Sequence, residues 1–228
     1  MESTEILETG PGALRALAMV AETLRGAGLE REQIDCVAVG IGPGSYTGIR
    51  AAIALAQGWQ LAGQIRLLGI CSMECLIAEA AGEGLIGRVA CVVDAQRDEF
   101  YVATYELAVD SHATERPGKP ASDSAASGQE TPRKSGSSAG ALTKNWRELE
   151  PLRLASLTEV RERARAGECL IGPEANRWSE KSRAVFPRAS TAAKLAQRRR
   201  VYEAGERLEP IYLRPTNFVK AQPARWKY

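Results

Sequence analysis

The chain has 228 residues, 44% hydrophobic and 25% charged, enough for one large or two small domains with a real core. No apolar run approaches the roughly 18 to 20 residues of a membrane helix, and the acidic start MESTEILETG lacks the basic and apolar regions of a secretory signal, so the expected compartment is the cytoplasm. A lone histidine, His112, leaves almost nothing for a mechanism that needs two histidine metal ligands or a serine–histidine–acid triad.

The five cysteines, Cys36, Cys71, Cys75, Cys91 and Cys169, are odd in number and sit mostly among apolar neighbours, which argues against a disulfide framework. Cys71 and Cys75 share a helix face at four-residue spacing. Core packing and a metal or redox pair are both open there, but no second pair or nearby histidine completes a metal site. Net charge is only +2, yet residues 1 to 109 carry 7 basic and 14 acidic side chains while residues 181 to 228 carry 12 basic and 3 acidic. Two distinct contact surfaces, or a solvated surface of uneven charge, would each account for that split.

In chain order, a short extended start leads into an amphipathic helix over residues 13 to 27, with Leu14, Leu17, Ala21 and Leu24 on one stripe and Gly26 and Gly28 at its end. Cys36 to Ile41 reads as a strand. The loop GPGSYTG follows, then a helix from about Gly48 to Ala62, crowded with Ala51, Ala52, Ala54, Ala56 and Gly58 and carrying Ile49, Ile53 and Trp59 as its larger apolar residues. Small residues at that density admit close approach of another helix or a sheet. Ile65 to Ile70 is a further strand, and Ser72 is placed to cap a helix from Met73 to Ala81. Arg88 to Asp94 and Glu99 to Leu107 read as strands joined by a polar turn, the second alternating Phe100, Val102, Thr104 with Tyr101, Ala103, Tyr105.

Residues 110 to 145 are dominated by serine, alanine, glycine, proline and threonine and cannot bury enough surface to offset their ordering entropy, so they are expected to form a flexible insertion. Order is expected to resume with a helix near Thr158 to Arg165, a strand at Cys169 to Ile171, a helix near Thr191 to Ala204 and a short segment Pro210 to Leu213 before a basic tail at 216 to 228. Strands and helices in this succession predict an α/β layer fold.

Gly40 to Arg50 is the most informative stretch. A strand runs into a turn that only glycines tolerate (Gly42, Pro43, Gly44), and a helix starts with Ser45 or Thr47 able to cap it just before Gly48. Exposed amides at a helix start suit an anion. The loop lacks the lysine of a P-loop and the spacing of a dinucleotide fingerprint, so a structural turn and a phosphate cradle both stand.

At this point the chain resembles the TsaB family of tRNA threonylcarbamoyladenosine biosynthesis subunits. VGIGPGSYTGIRAAIALAQG is similar to the family's VGxGPGSFTGLRxGxxxAKG, VVDAQRDEFYVATYE to its hairpin motif, and LEPIYLRP to its terminal P-x-YLR element, in the same order; residues 110 to 145 have no counterpart. The resemblance implies an α/β actin-like (ASKHA, ribonuclease-H-like) fold. Its two lobes would be an N-terminal one over 1 to 86, and a C-terminal one over 87 to 109 and 146 to 215. It implies a non-catalytic dimerisation subunit, without cofactor, metal ligand or catalytic residue. Such a subunit pairs with a TsaD-like enzyme that threonylcarbamoylates the adenosine beside the anticodon of ANN-decoding tRNAs, joined by a TsaE-like ATPase. The family's dimer is built from the first two helices, which here places Leu14, Leu17, Leu24, Ile49, Ala52, Ile53 and Ala56 at the interface; both stripes facing their own sheet is the competing reading. A homodimer in isolation is also compatible.

Two other functions are carried alongside. An active TsaD-like metal-dependent transferase or M22 peptidase-like protein would need a histidine pair four residues apart, which this chain lacks. Direct tRNA binding would use the basic end, with Arg198, Arg199, Arg200, Arg214, Lys220 and Arg225 on phosphates and Phe218, Trp226 and Tyr228 nearby for stacking. The sequence departs from the family at its front, where members open with a strand near ILAIDTS and a second strand. A missing central strand would leave unpaired edges. The true start is therefore expected upstream, or a partner to cover the gap, with this chain alone aggregation-prone or marginally stable.

Overall fold

The computed structural model describes residues 5–6, 15–108, 146–199 and 201–214. Helix α1 (Ala16–Ala27) leads into β1 (Cys36–Gly42), α2 (Tyr46–Ala62), β2 (Arg66–Cys71) and α3 (Ser72–Gly82). Then come β3 (Gly87–Asp94), β4 (Glu99–Leu107), β5 (Trp146–Ser156), α4 (Leu157–Arg165), β6 (Cys169–Gly172), β7 (Arg183–Ala184) and α5 (Ala189–Arg199). Strands β1 and β2 pair in parallel as one sheet; the other has the order β5-β4-β3-β6-β7. Its first strand, β3, is central, antiparallel to β4 and parallel to β6. This is the actin-like, ribonuclease-H-like α/β architecture.

The sheets and helices stack in layers. Ile49, Ile53 and Ala56 of α2 pack with Val39, Ile65 and Leu67 on one face of the first sheet. Its other face and the second sheet share a core built around Met73, Leu76, Ile77 and Ala80 of α3 and Leu195 and Ala196 of α5. Beyond the second sheet, Phe100, Val102 and Leu170 meet Val160 and Ala164 of α4. The alternation expected in β4 is observed with both faces buried: Phe100 and Val102 point to the α4 side, Ala103 and Tyr105 to the central core.

Several elements differ from expectation. Strand β5 is absent from the sequence reading because its outward charges and Pro151 mask the alternation; it lies at the sheet edge, where both proline and exposed charge are tolerated. Ser72 does not cap α3: it is the first helical residue, and Cys71 holds the cap position without a side-chain hydrogen bond. Helix α5 ends at Arg199 rather than near Ala204, because the following chain pairs with β2, Glu203 N–H donating to Leu67 O at 2.9 Å. Pro210 to Leu213 forms no regular element, though Ile211 N–H donates to Ile41 O at 2.9 Å. The expected insertion at 110–145, the tail at 216–228 and His112 lie outside the described residues.

Helix α4 is latched to its sheet by charge. The Arg163 guanidinium lies 2.5 Å from Glu150, 3.1 Å from Glu159 and 3.3 Å from Glu168, and donates to Thr104 Oγ1 at 3.2 Å. Hydrogen bonds from Arg153 hold the Glu159 carboxyl below its ordinary pKa, as those from Arg163 do for Glu150.

Candidate functional site

The glycine loop is built to launch α2. Gly42 has φ +97° and is buried with Pro43; a Cβ on it would come within 2.8 Å of Ile49 Cδ1. Ser45, not Thr47, is the cap, its Oγ accepting from Gly48 N–H at 3.3 Å. Arg50, the nearest cation along the helix, donates to the Tyr46 hydroxyl at 2.9 Å, and Tyr46 stacks on Tyr212 with ring centroids 5.2 Å apart. The Ser45 hydroxyl is thus spent on shaping the helix start.

That helix presents two different faces. Ile49, Ile53 and Ala56 are buried against the chain's own sheet, with Ala52 partly buried beside them. Within this chain these residues, expected at a partner interface, form at helical spacing the stripe that covers β1 and β2. Turned away from the sheet, Ala51, Ala54, Leu55, Gly58 and Ala62 line a groove of about 870 Å³. Its opposite wall is α1, through Leu17, Val20, Ala21 and Leu24. Helix α1 contributes no buried residue, and Leu17 is 74% exposed. Leu14 lies outside the described residues. The alanines and glycine of α2 were visible in the sequence; what it did not reveal is which of them face the sheet.

The described part of the basic end is largely engaged internally. Arg199 pairs with Glu74, and Arg214 pairs with Glu99 while donating to the carbonyls of Ala95 and Gln96. Both, expected as tRNA contacts, serve as structural ties within this chain. Arg198 is exposed at the end of α5, and Arg200, Lys220 and Arg225 lie outside the described residues. Cys71 and Cys75 pack into or against the central core, and burial pushes the Cys75 thiol up to about 12. Among the described residues, no group of three or more histidine, cysteine, aspartate or glutamate side chains is arranged to hold a metal, and no helix is long and apolar enough to cross a membrane.

Comparisons with known proteins agree with this architecture. The Escherichia coli K12 tRNA threonylcarbamoyladenosine biosynthesis protein TsaB is 34% identical over 92 residues, 40% of each chain. The Bacillus subtilis protein of the same description is 30% identical over 96 residues, 41% of this chain and 40% of that one. The chain thus spans about 40% of the length of these curated relatives. Two solved Pseudomonas aeruginosa structures, one of YeaZ and one of a protein described as similar to the peptidase YeaZ, both superpose with a TM-score of 0.61 at 25% identity. They cover 90% and 89% of this chain, and 87% and 84% of their own. The family model described as TsaD, tRNA N6-adenosine threonylcarbamoyltransferase, matches residues 13–139. With more than half of its length matched, the chain belongs to that family, and TsaB is the member it resembles.

Proposed function

We propose that this chain is a non-catalytic subunit of the assembly that installs threonylcarbamoyl on the adenosine beside the anticodon of tRNA, acting by pairing with a TsaD-like enzyme through the α1–α2 groove. The observation that carries this is the state of α1. A 12-residue helix is marginal on its own in water, and this one buries nothing fully within the chain while lining an apolar groove. A partner helix laid along Leu17, Val20 and Leu24 and over the small residues of α2 would supply the missing burial. The lobes would be 1 to 86, and 87 to 109 with 146 to 215. A TsaE-like ATPase joins the pair, a homodimer forms through the same groove when TsaD is absent, and the assembly works in the cytoplasm.

The test is reconstitution. The chain is mixed with the cognate TsaD-like protein, the complex is isolated by size-exclusion chromatography, and threonylcarbamoyladenosine in tRNA is measured by mass spectrometry with and without the chain. A stoichiometric complex and chain-dependent modification are expected. Absence of a complex refutes the pairing; modification or peptide hydrolysis by the chain alone refutes the non-catalytic role.

A further inference from the structure

We infer that the β3–β4 turn and the adjacent face of α4 form an RNA-contact surface, with Arg97 and Arg161 on backbone phosphates and a base seated against the Arg177–Trp178 pair. These residues, with Asp94 and Asp98, line one open hollow of about 460 Å³. Several arginines in this protein pair with carboxylates, Arg88, Arg153, Arg163, Arg188, Arg199 and Arg214 among them, whereas Arg25, Arg165, Arg198 and Arg207 are exposed without an ion pair among the described residues; what sets Arg97 and Arg161 apart is that they share one hollow with an aromatic–guanidinium pair. Arg97 and Arg161 are exposed and form no ion pair or hydrogen bond among the described residues. Beside them the Arg177 guanidinium lies 4.7 Å from the Trp178 ring centroid and is tethered by Glu174 at 2.5 Å, a cationic plane on an aromatic of the kind on which nucleic-acid bases stack.

The turn that carries Arg97 is strained and braced. Gln96, Arg97 and Asp98 have φ of +67°, +61° and +58°, three successive non-glycine residues in the left-handed region, at a cost of about 1 kcal/mol or more each. Arg214 Nη2 donates to the carbonyls of Ala95 and Gln96, each at 3.1 Å, Asp94 Oδ1 accepts from Gln96 N–H at 2.7 Å, and Leu157 N–H donates to Asp98 O at 2.9 Å. The last of these ties the turn to the start of α4, which carries Arg161. These bonds fix the backbone from which Arg97 projects, and so its position relative to Arg161 at the other side of the hollow. The two carboxylates in the hollow oppose a compact, highly charged anion. An extended phosphate backbone touches the guanidiniums one phosphate at a time and avoids them.

The choice of transfer RNA as the probe rests on the proposed function; the surface itself does not involve the α1–α2 groove. Fluorescence anisotropy of labelled unmodified tRNA, titrated with the full chain between 50 and 200 mM salt, tests it. Arg97→Glu with Arg161→Glu is expected to weaken binding at least tenfold and to make the dependence of log affinity on log salt shallower by about two. Arg214→Ala, which removes a brace but no contact, should weaken binding several-fold at unchanged slope. Lys194→Glu on α5 and Leu17→Asp in the groove should leave RNA affinity unchanged, so that failure of partner pairing and failure of RNA contact read out separately. Absence of RNA binding by the unsubstituted chain at 50 mM salt overturns the inference, as does a double variant with unaltered affinity and slope. Displacement of the RNA by millimolar inorganic phosphate at constant ionic strength would overturn it in favour of a small-anion site.

Discussion

Replacing Leu17 by aspartate and, separately, Ile53 by aspartate discriminates the groove from the core one helix thickness away. Leu17 is 74% exposed. Covering the rest of it is worth roughly 1–2 kcal/mol, about three-quarters of the value for a fully buried leucine. A carboxylate enclosed at the same place adds a desolvation penalty of several kcal/mol. Pairing with the TsaD-like protein should therefore weaken by about a hundredfold or more, while the free chain, which loses only a surface side chain, keeps its stability within about 0.5 kcal/mol. Ile53 is 5% exposed and packs in the core beneath α2. Its loss alone costs about 2–5 kcal/mol, and an unpaired buried carboxylate adds to that, so this variant should lose its cooperative melting before pairing is even tested. Calorimetric titration with the partner and thermal unfolding by circular dichroism measure the two effects. An unaltered affinity for Leu17→Asp, or a melting loss equal to that of Ile53→Asp, refutes the assignment of the two faces.

Three further outcomes follow from the geometry. Gly42→Ala combines a positive φ with a Cβ placed 2.8 Å from Ile49 Cδ1; it should destabilise the chain by about 1–3 kcal/mol in denaturant unfolding, and an unchanged midpoint contradicts the strain. Glu159 is held below its ordinary pKa by hydrogen bonds from Arg153, so its contribution is present above the unfolded value of about 4.3 and fades as pH falls through the lower folded one. Glu159→Gln should therefore lower stability at pH 7 and flatten the acid limb of the stability profile, and parallel profiles would refute the coupling. Burial raises the thiols of Cys75 and Cys91, so an alkylating reagent at pH 8 should modify Cys36 and Cys169 first; equal labelling of all five cysteines, read by mass spectrometry, would contradict that order.

What was legible in the sequence is what local chemistry dictates. Gly28 closing α1, the glycine turn at 42, the shared face of Leu17, Ala21 and Leu24 on α1 and the alternation in β4 depend on neighbours a few residues away, and all are found. The two faces of α2 were less legible, because a helix with apolar or small residues almost all round presents two usable stripes, and only the position of the β1–β2 sheet decides which is core. Strand β5 was hidden by Pro151 and its outward charges, whose tolerance depends on an edge position that no local pattern encodes. Arg199 and Arg214 looked like free cations because Glu74 and Glu99 lie more than a hundred residues earlier in the chain. Arg97 went unremarked for the converse reason: its lack of a partner is visible only once every other charge has been placed.

The run from Glu203 to Arg214 touches β2 at Leu67, β1 at Ile41 and the β3–β4 turn at Ala95 and Gln96, while α3 and α5 fill a single apolar layer between the sheets. A truncation just before Glu203 would therefore take hydrogen bonds from β1, β2 and the β3–β4 turn at once, so three separate parts of the fold depend on twelve residues near the end of the described chain.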